Sequence, residues 1–483
     1  MQNPTLLIGG RAVAPSSGQY FERIGPVAGT VASRAAAADV EDAMRAAEEA
    51  HRAFPSWSAV GPTERRRLLL RTADLLEART ADFERLMLQE TGATPGWANF
   101  NVALAANMLR EAAAATTHIT GHVVPSDVPG SLAFTMRVPA GVVLGIAPWN
   151  APVILGVRAV AMPLACGNTV ILKASEICPG THRLIGQVLC EAGLPDGVVN
   201  VITHAARDAE AVSNALIAHP AVRRINFTGS THIGTLMAAT AAKYLKPILL
   251  ELGGKAPIVV LEEADVCAAV DATVFGAYAN SGQICMSSER AIVHERIADE
   301  FAERLARRVS ALPAGDPSKG AVVIGPMIGQ AAAERLRHLV ADAVARGARV
   351  LTPLPADGTL VRGLVIDHVT PAMRIFHEET FGPQVSITRF RTPEEAISLA
   401  NDSAYGLSSS VFSRDIARAM QVAQRIQSGI CHINGPTVHD EPQMPFGGTK
   451  ASGYGRFGGT AAIAEFTELR WMTIQTTPRS YPF

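Results

Sequence analysis

Neither sign of charge dominates this chain. Its 43 Lys and Arg against 44 Asp and Glu leave a formal net charge of −1 over 483 residues. That balance supplies no field for gathering nucleic acid. The brief basic run Arg65-Arg66-Arg67 reads as a solvated helix face. Long hydrophobic runs are missing too. The most apolar stretch, near 138–165, is interrupted by Pro148, Pro152, Arg158 and Pro163, which argues against a membrane span. The opening Met1-Gln2-Asn3-Pro4-Thr5 has no basic region, and the apolar stretch at 6–8 is too short for a signal peptide. The six cysteines form no CxxC pair and no Cys/His cluster at zinc spacing. No metal site and no disulfide scaffold is expected, and a reducing, cytoplasmic setting follows.

What is present is a large globular composition, 48% apolar and 18% charged. The length predicts two or three domains. Helices are expected over 35–55, 63–77 and 97–118, and a strand over 131–137. From 138 onward strands and helices alternate. Strands fit 142–146, 169–172, 198–202, 224–227 and 247–251, with helices at 152–164, 180–192, 208–217 and 234–242. Such alternation predicts parallel βαβ units and an α/β nucleotide-binding region. After residue 253 a second strand–helix series runs to about 435. The glycine-dense stretch 446–456 is expected to be a loop packed against other backbone. The tail at 470–474 reads as an edge strand awaiting a partner.

Five short runs carry chemistry. Cys285 lies in Ser281-Gly282-Gln283-Ile284-Cys285-Met286-Ser287. A lone cysteine is usually a small buried hydrophobe, but these small polar neighbours suit an accessible sulfur nucleophile. Glu251, in Leu250-Glu251-Leu252-Gly253-Gly254-Lys255, is either a surface carboxylate or a partly buried general base with a raised pKa. Asn150, after Pro148-Trp149, is either a turn residue or an amide donor to a developing oxyanion. The run Gly229-Ser230-Thr231-His232-Ile233-Gly234 lacks the middle glycine of a dinucleotide fingerprint. It does sit between a strand and a helix, where amides and Ser230 can meet pyrophosphate. Lys173 and Glu176 follow a strand and can reach ribose hydroxyls. A carboxylate there would repel a 2′-phosphate and favour NAD over NADP.

These runs, together with Lys173-Ala174-Ser175-Glu176 and Glu378-Glu379-Thr380-Phe381-Gly382-Pro383, resemble the aldehyde dehydrogenase superfamily in order and spacing over essentially the whole chain. The resemblance implies Cys285 as nucleophile, Glu251 as general base and Asn150 as oxyanion donor. It places NAD against Pro148, Trp149, Lys173, Glu176, Gly229, Ser230, Gly234, Glu379 and Phe381. It implies a Rossmann-like NAD domain at 1–118 and 139–252, and a catalytic α/β domain at 253–466. An oligomerisation element would take 119–138 and 467–483 and build a homodimer or homotetramer. Within the superfamily, Trp97-Ala98-Asn99-Phe100-Asn101, Arg158, Ile284-Cys285-Met286 and Tyr481-Pro482-Phe483 resemble the bacterial salicylaldehyde, benzaldehyde and vanillin dehydrogenases. An aromatic aldehyde is therefore expected, in a pocket of Trp97, Phe100, Arg158, Ile284 and Met286. Arg158 stays open between a ring-steering group and the ion-pair partner of a buried carboxylate. Competing readings are a broad, aliphatic or semialdehyde dehydrogenase, a CoA-acylating relative (which Glu251 counts against), and a non-catalytic protein on the same fold.

Overall fold

The computed structural model describes residues 4–353 and 358–483. Strands with every position buried, such as Val142–Ile146 and Thr169–Lys173, do not alternate apolar with polar residues, because both faces are covered by helices. They form the middle of an eight-stranded sheet. Its order is Arg11–Val13, Leu6–Ile8, Val199–Ile202, Thr169–Lys173, Val142–Ile146, Val222–Thr228, Ile248–Glu251 and Gly453–Tyr454. The five strands from Val199–Ile202 to Ile248–Glu251 pair in parallel, and the outer ones pair antiparallel. The strand order reverses between Val142–Ile146 and Val222–Thr228. In such sheets the crevice beyond the strand ends at the reversal is where ligands bind.

A second sheet has seven strands, ordered Arg349–Val350, Leu364–Asp367, Gln384–Phe390, Ser288–His294, Ala256–Val260, Ser408–Phe412 and Ile430–Ile433. All its pairs are parallel except the first. The third element is an antiparallel sheet of Thr467–Gln475, Ser131–Pro139 and Val123–Val124. The expected tail strand thus finds one partner within its own chain, and its other edge stays open. Trp471 on it is 75% exposed.

Two expectations shift. The helix expected from 35 begins at Val40, because Asp39 caps it by accepting from the Glu41 and Asp42 amides. Residues 35 and 36 end the strand Val31–Ala36, which pairs with Tyr20–Ile24. The glycine-dense loop also contains a strand. Gly453 and Tyr454 pair with Glu251 and Leu250, while Phe446, Phe457, Ile463 and Phe466 join the core beneath the first sheet. The chain therefore returns to that sheet after the second one is complete. Among the described residues no helix is long and apolar enough to cross a membrane.

Candidate active site

Three chain segments converge at the crevice. The first leaves the strand Val142–Ile146 and turns through Pro148, Trp149 and Asn150 into the helix Pro152–Ala165. The Asn150 carbonyl accepts from Trp97 Nε1 at 3.0 Å and from Asn280 Nδ2 at 2.9 Å, and its side-chain amide donates to the Gln283 carbonyl at 3.0 Å. The second segment is the end of Ile248–Glu251. Glu251 is held on both sides, paired with Thr228 in one direction and Gly453 in the other. The third is the turn Ala279–Gly282 that delivers Cys285. Asn280, Ser281 and Gly282 have φ of 48°, 57° and 68°, a left-handed run that non-glycine residues seldom adopt. Glycine is needed here for close approach. A Cβ on Gly282 would lie 2.2 Å from the Gly382 carbonyl oxygen, and one on Gly254 would lie 2.1 Å from that of Cys285.

These segments wall a cavity of about 360 Å³. It brings together Pro148, Trp149, Asn150, Gly229, Ser230, Glu251, Cys285, Glu379 and Phe381 of the residues expected from sequence, and adds Leu155, Thr228, Leu252 and Gly253. Cys285 is part-buried. Burial, and then the Glu251 charge, push its thiol well above the ordinary value, so the resting sulfur carries its proton. Glu251 is buried, and burial lifts its pKa from 4.5 to about 7, with Arg158 and a hydrogen bond to Cys285 pulling the other way. Its Oε1 is buried with no hydrogen-bond partner. An unpaired buried oxygen is costly to keep, and here it is an acceptor waiting beside a thiol.

The remaining residues fit a dinucleotide. Ser230 caps the helix Thr231–Lys243 by accepting from Ile233, so the amides at this helix start lie at the cavity rim. Glu379 is half-buried and its pKa is lifted to about 8, first by desolvation and then by the Glu289 charge; its Oε1 accepts from the Gly254 amide at 2.8 Å. Phe381 meets Trp149 edge-on at 5.8 Å. Lys173 and Glu176 lie outside the cavity, at the end of the neighbouring strand. Lys173 is buried with Nζ 2.7 Å from His204 Nε2, and burial lowers its pKa to about 8.

Other expected residues are placed differently. Gly234 packs the helix onto the sheet, since a Cβ there would lie 2.4 Å from Leu252. Phe100 stacks on Trp97 at 5.4 Å and is 44% exposed, so it does not line the cavity. Ile284 and Met286 are buried in the core beside Cys285. Arg158 is buried, ion-paired with Asp440, and sits 4.2 Å over the Phe446 ring. It lines a separate small cavity with Met108, Asp440 and Phe457. Sequence reasoning missed Asn280, Gln283 and Asp440, because each acts on a residue far away along the chain.

The family model described as "Aldehyde dehydrogenase family" matches residues 13–472. The chain belongs to the aldehyde dehydrogenase family. It is 59% identical to a vanillin dehydrogenase of Pseudomonas sp. (strain HR199 / DSM 7063) over 477 residues, 99% of each chain. It superposes on the crystal structure of a salicylaldehyde dehydrogenase from Pseudomonas putida G7 complexed with salicylaldehyde, with a TM-score of 0.98, 48% identity and 100% coverage of both chains. The structure of PnpE in complex with nicotinamide adenine dinucleotide has a TM-score of 0.95 at 36% identity, covering 100% of this chain and 99% of that one. As a member of this family the chain is an NAD-dependent aldehyde dehydrogenase with a Rossmann-like and a catalytic domain.

Proposed function

We propose that this aldehyde dehydrogenase oxidises an aromatic aldehyde, salicylaldehyde or a related benzaldehyde, to the carboxylic acid through an acyl intermediate on Cys285. The observation that carries the mechanism is the unpartnered Glu251 oxygen beside the protonated Cys285 thiol in one cavity. Glu251 accepts the thiol proton as sulfur attacks the carbonyl carbon. The oxyanion is met by the Asn150 side-chain amide, whose second N–H is free of the Gln283 bond, and by the Cys285 backbone N–H; each such donor is worth about 3 kcal/mol. NAD, when bound, supplies the hydride acceptor that turns the thiohemiacetal into a thioester. Glu251 gives that first proton up to solvent and then takes a proton from water, which attacks the thioester carbonyl, expels the Cys285 thiolate to be reprotonated, and releases the acid. Glu379 and Phe381 are assigned to the nicotinamide end of NAD, Ser230 and Gly229 to the pyrophosphate, and Lys173 and Glu176 to the adenosine ribose. The Glu176 charge disfavours NADP.

The aromatic reading is supported by full-length likeness to vanillin and salicylaldehyde dehydrogenases. Residues 1–118 and 139–252 are assigned to the NAD-binding domain and 253–466 to the catalytic one, with 436–466 crossing back to the first sheet. The three-stranded sheet is assigned to subunit contact in a homodimer or homotetramer, because its Leu469, Trp471 and Ile474 are exposed. The test is a kinetic panel of benzaldehyde, salicylaldehyde, vanillin, hexanal and succinic semialdehyde with NAD, with and without CoA. The benzaldehydes are expected to show the highest kcat/KM with no need for CoA. A clear preference for hexanal or the semialdehyde would refute the aromatic assignment, and CoA-dependent turnover would refute hydrolysis by Glu251.

A further inference from the structure

We propose that Glu289, ion-paired with Lys255, is a positioning residue that latches the segment carrying Glu379 and Phe381 and thereby sets the grip on NAD; this rests on the assignment of those two residues to the cofactor. Glu289 lies on the strand Ser288–His294, in the second sheet. Its carboxylate is buried and stands 2.5 Å from the equally buried Lys255 ammonium. It also accepts from two successive backbone amides. The Thr380 N–H reaches Oε2 at 2.8 Å, and the Phe381 N–H reaches Oε1 at 3.0 Å.

Those amides belong to a segment that cannot hold its shape by local preference. Phe381 has φ of 49°, a left-handed conformation that costs on the order of 1 kcal/mol or more for a bulky residue. Two adjacent N–H groups aimed at one point form an anion-binding nest. In this chain the anion is its own side chain. The Thr380 hydroxyl oxygen accepts from Gln384 Nε2 at 2.9 Å, which fixes the residue between the two cofactor groups.

Lys255 closes the latch from the other side. It directly follows Gly254, whose amide holds Glu379, and its own carbonyl accepts from Arg290 Nε at 3.1 Å. The pair thus ties the end of the Glu251 segment to the segment bearing Glu379 and Phe381. The two charges of the pair also act oppositely on Glu379, Glu289 raising its pKa and Lys255 lowering it.

Single removal of either charge leaves the other buried and alone, which can unfold the chain. The test therefore uses the double variant Glu289→Leu with Lys255→Met, which removes both charges at similar volume and leaves the Thr380 and Phe381 amides without an acceptor. The NAD dissociation constant is read by calorimetry. NAD-free hydrolysis of 4-nitrophenyl acetate, which calls only on Cys285, Glu251 and Asn150, reports whether the rest of the site is intact. The expected result is a rise in Kd of about tenfold or more against a loss of ester hydrolysis below about threefold, with Glu289→Gln intermediate because it keeps an acceptor oxygen. An NAD Kd within about twofold of the parent in the folded double variant overturns the latch, as does an equal fall in both readouts. Glu379→Gln is measured in parallel. If it leaves NAD binding unchanged, the cofactor assignment itself fails and the latch with it. If it weakens binding while the Glu289 variants do not, the latch alone fails.

Discussion

Replacing Glu251 by Gln should make the protein more stable as it makes the enzyme slower. Burial raises the Glu251 pKa from 4.5 to about 7. The folded state therefore binds this proton more tightly than the unfolded chain does. Below about pH 4.5 the group is protonated in both states and contributes nothing to the difference. As pH rises from 4.5 to 7 the unfolded chain gains the ionised form first, and stability falls. Above about pH 7 the loss is complete. At about 1.4 kcal/mol per pH unit it amounts to about 3 kcal/mol, an upper bound. Gln keeps the volume and does not titrate, so Glu251→Gln should match the parent near pH 4.5 and exceed it by up to about 3 kcal/mol at pH 8. Urea unfolding at the two pH values measures this directly. A gap that is absent at pH 8, or that does not shrink on acidification, would refute the burial argument. The same variant should lose about 10²- to 10⁴-fold in acyl-enzyme hydrolysis. If hydride transfer survives, a rapid burst of NADH followed by slow turnover is expected. Unchanged single-turnover hydrolysis would remove Glu251 from the mechanism.

Arg158 and Asp440 should move the acid limb of kcat in opposite directions. Arg158→Met takes away a charge that lowers the Glu251 pKa, so the limb rises; Asp440→Asn takes away one that raises it, so the limb falls. Each leaves a buried charge alone and should cost about 3 kcal/mol or more of stability, and shifts of the same sign in the pH profiles would contradict the geometry. Cys285→Ala should abolish turnover while NAD binding by calorimetry stays close to the parent's, and steady-state oxidation at a near-parent rate would sink the nucleophile assignment. Deleting 470–483 strips most of the strand paired with Ser131–Pro139 and should yield monomer or aggregate. A truncated enzyme eluting at the parent's mass with full activity would refute the role of that sheet.

The parts legible in the sequence are those whose cause is local. Glu251 is flanked by Leu249, Leu250 and Leu252, which announce partial burial, and Cys285 by small polar residues, which announce a sulfur that can be reached. The alternation from Val142 onward announced the parallel sheet, while the strand order that places its crevice appears only in the structure. What could not be read depends on partners far along the chain. Nothing near Gly234 says that its missing side chain makes room for Leu252 rather than for a phosphate. Nothing near Phe100 says that the helix turns it outward against Trp97. The stretch 446–456 looks like a glycine-rich loop, because its pairing partners, Tyr405–Gly406 and Leu250–Glu251, lie some forty-five and two hundred positions earlier.

Arg158 shows how distance hides function. From sequence it is an arginine interrupting an apolar helix, equally fit to steer a ring hydroxyl or to answer a buried acid. The structure supplies the acid, Asp440, 282 residues later. The pair is neutral as a whole, yet its two halves act oppositely on Glu251. A lone guanidinium at this place would hold Glu251 ionised over a wide pH range and make it a weak base. A lone carboxylate would hold it protonated and leave it unable to act. Because the two charges oppose one another, burial is left as the dominant influence, and it sets the pKa to about 7. That value suits a group that must accept a proton near neutral pH and release it again in each cycle. Arg158 therefore bears on catalysis through Asp440 and Glu251, whether or not any aldehyde touches it.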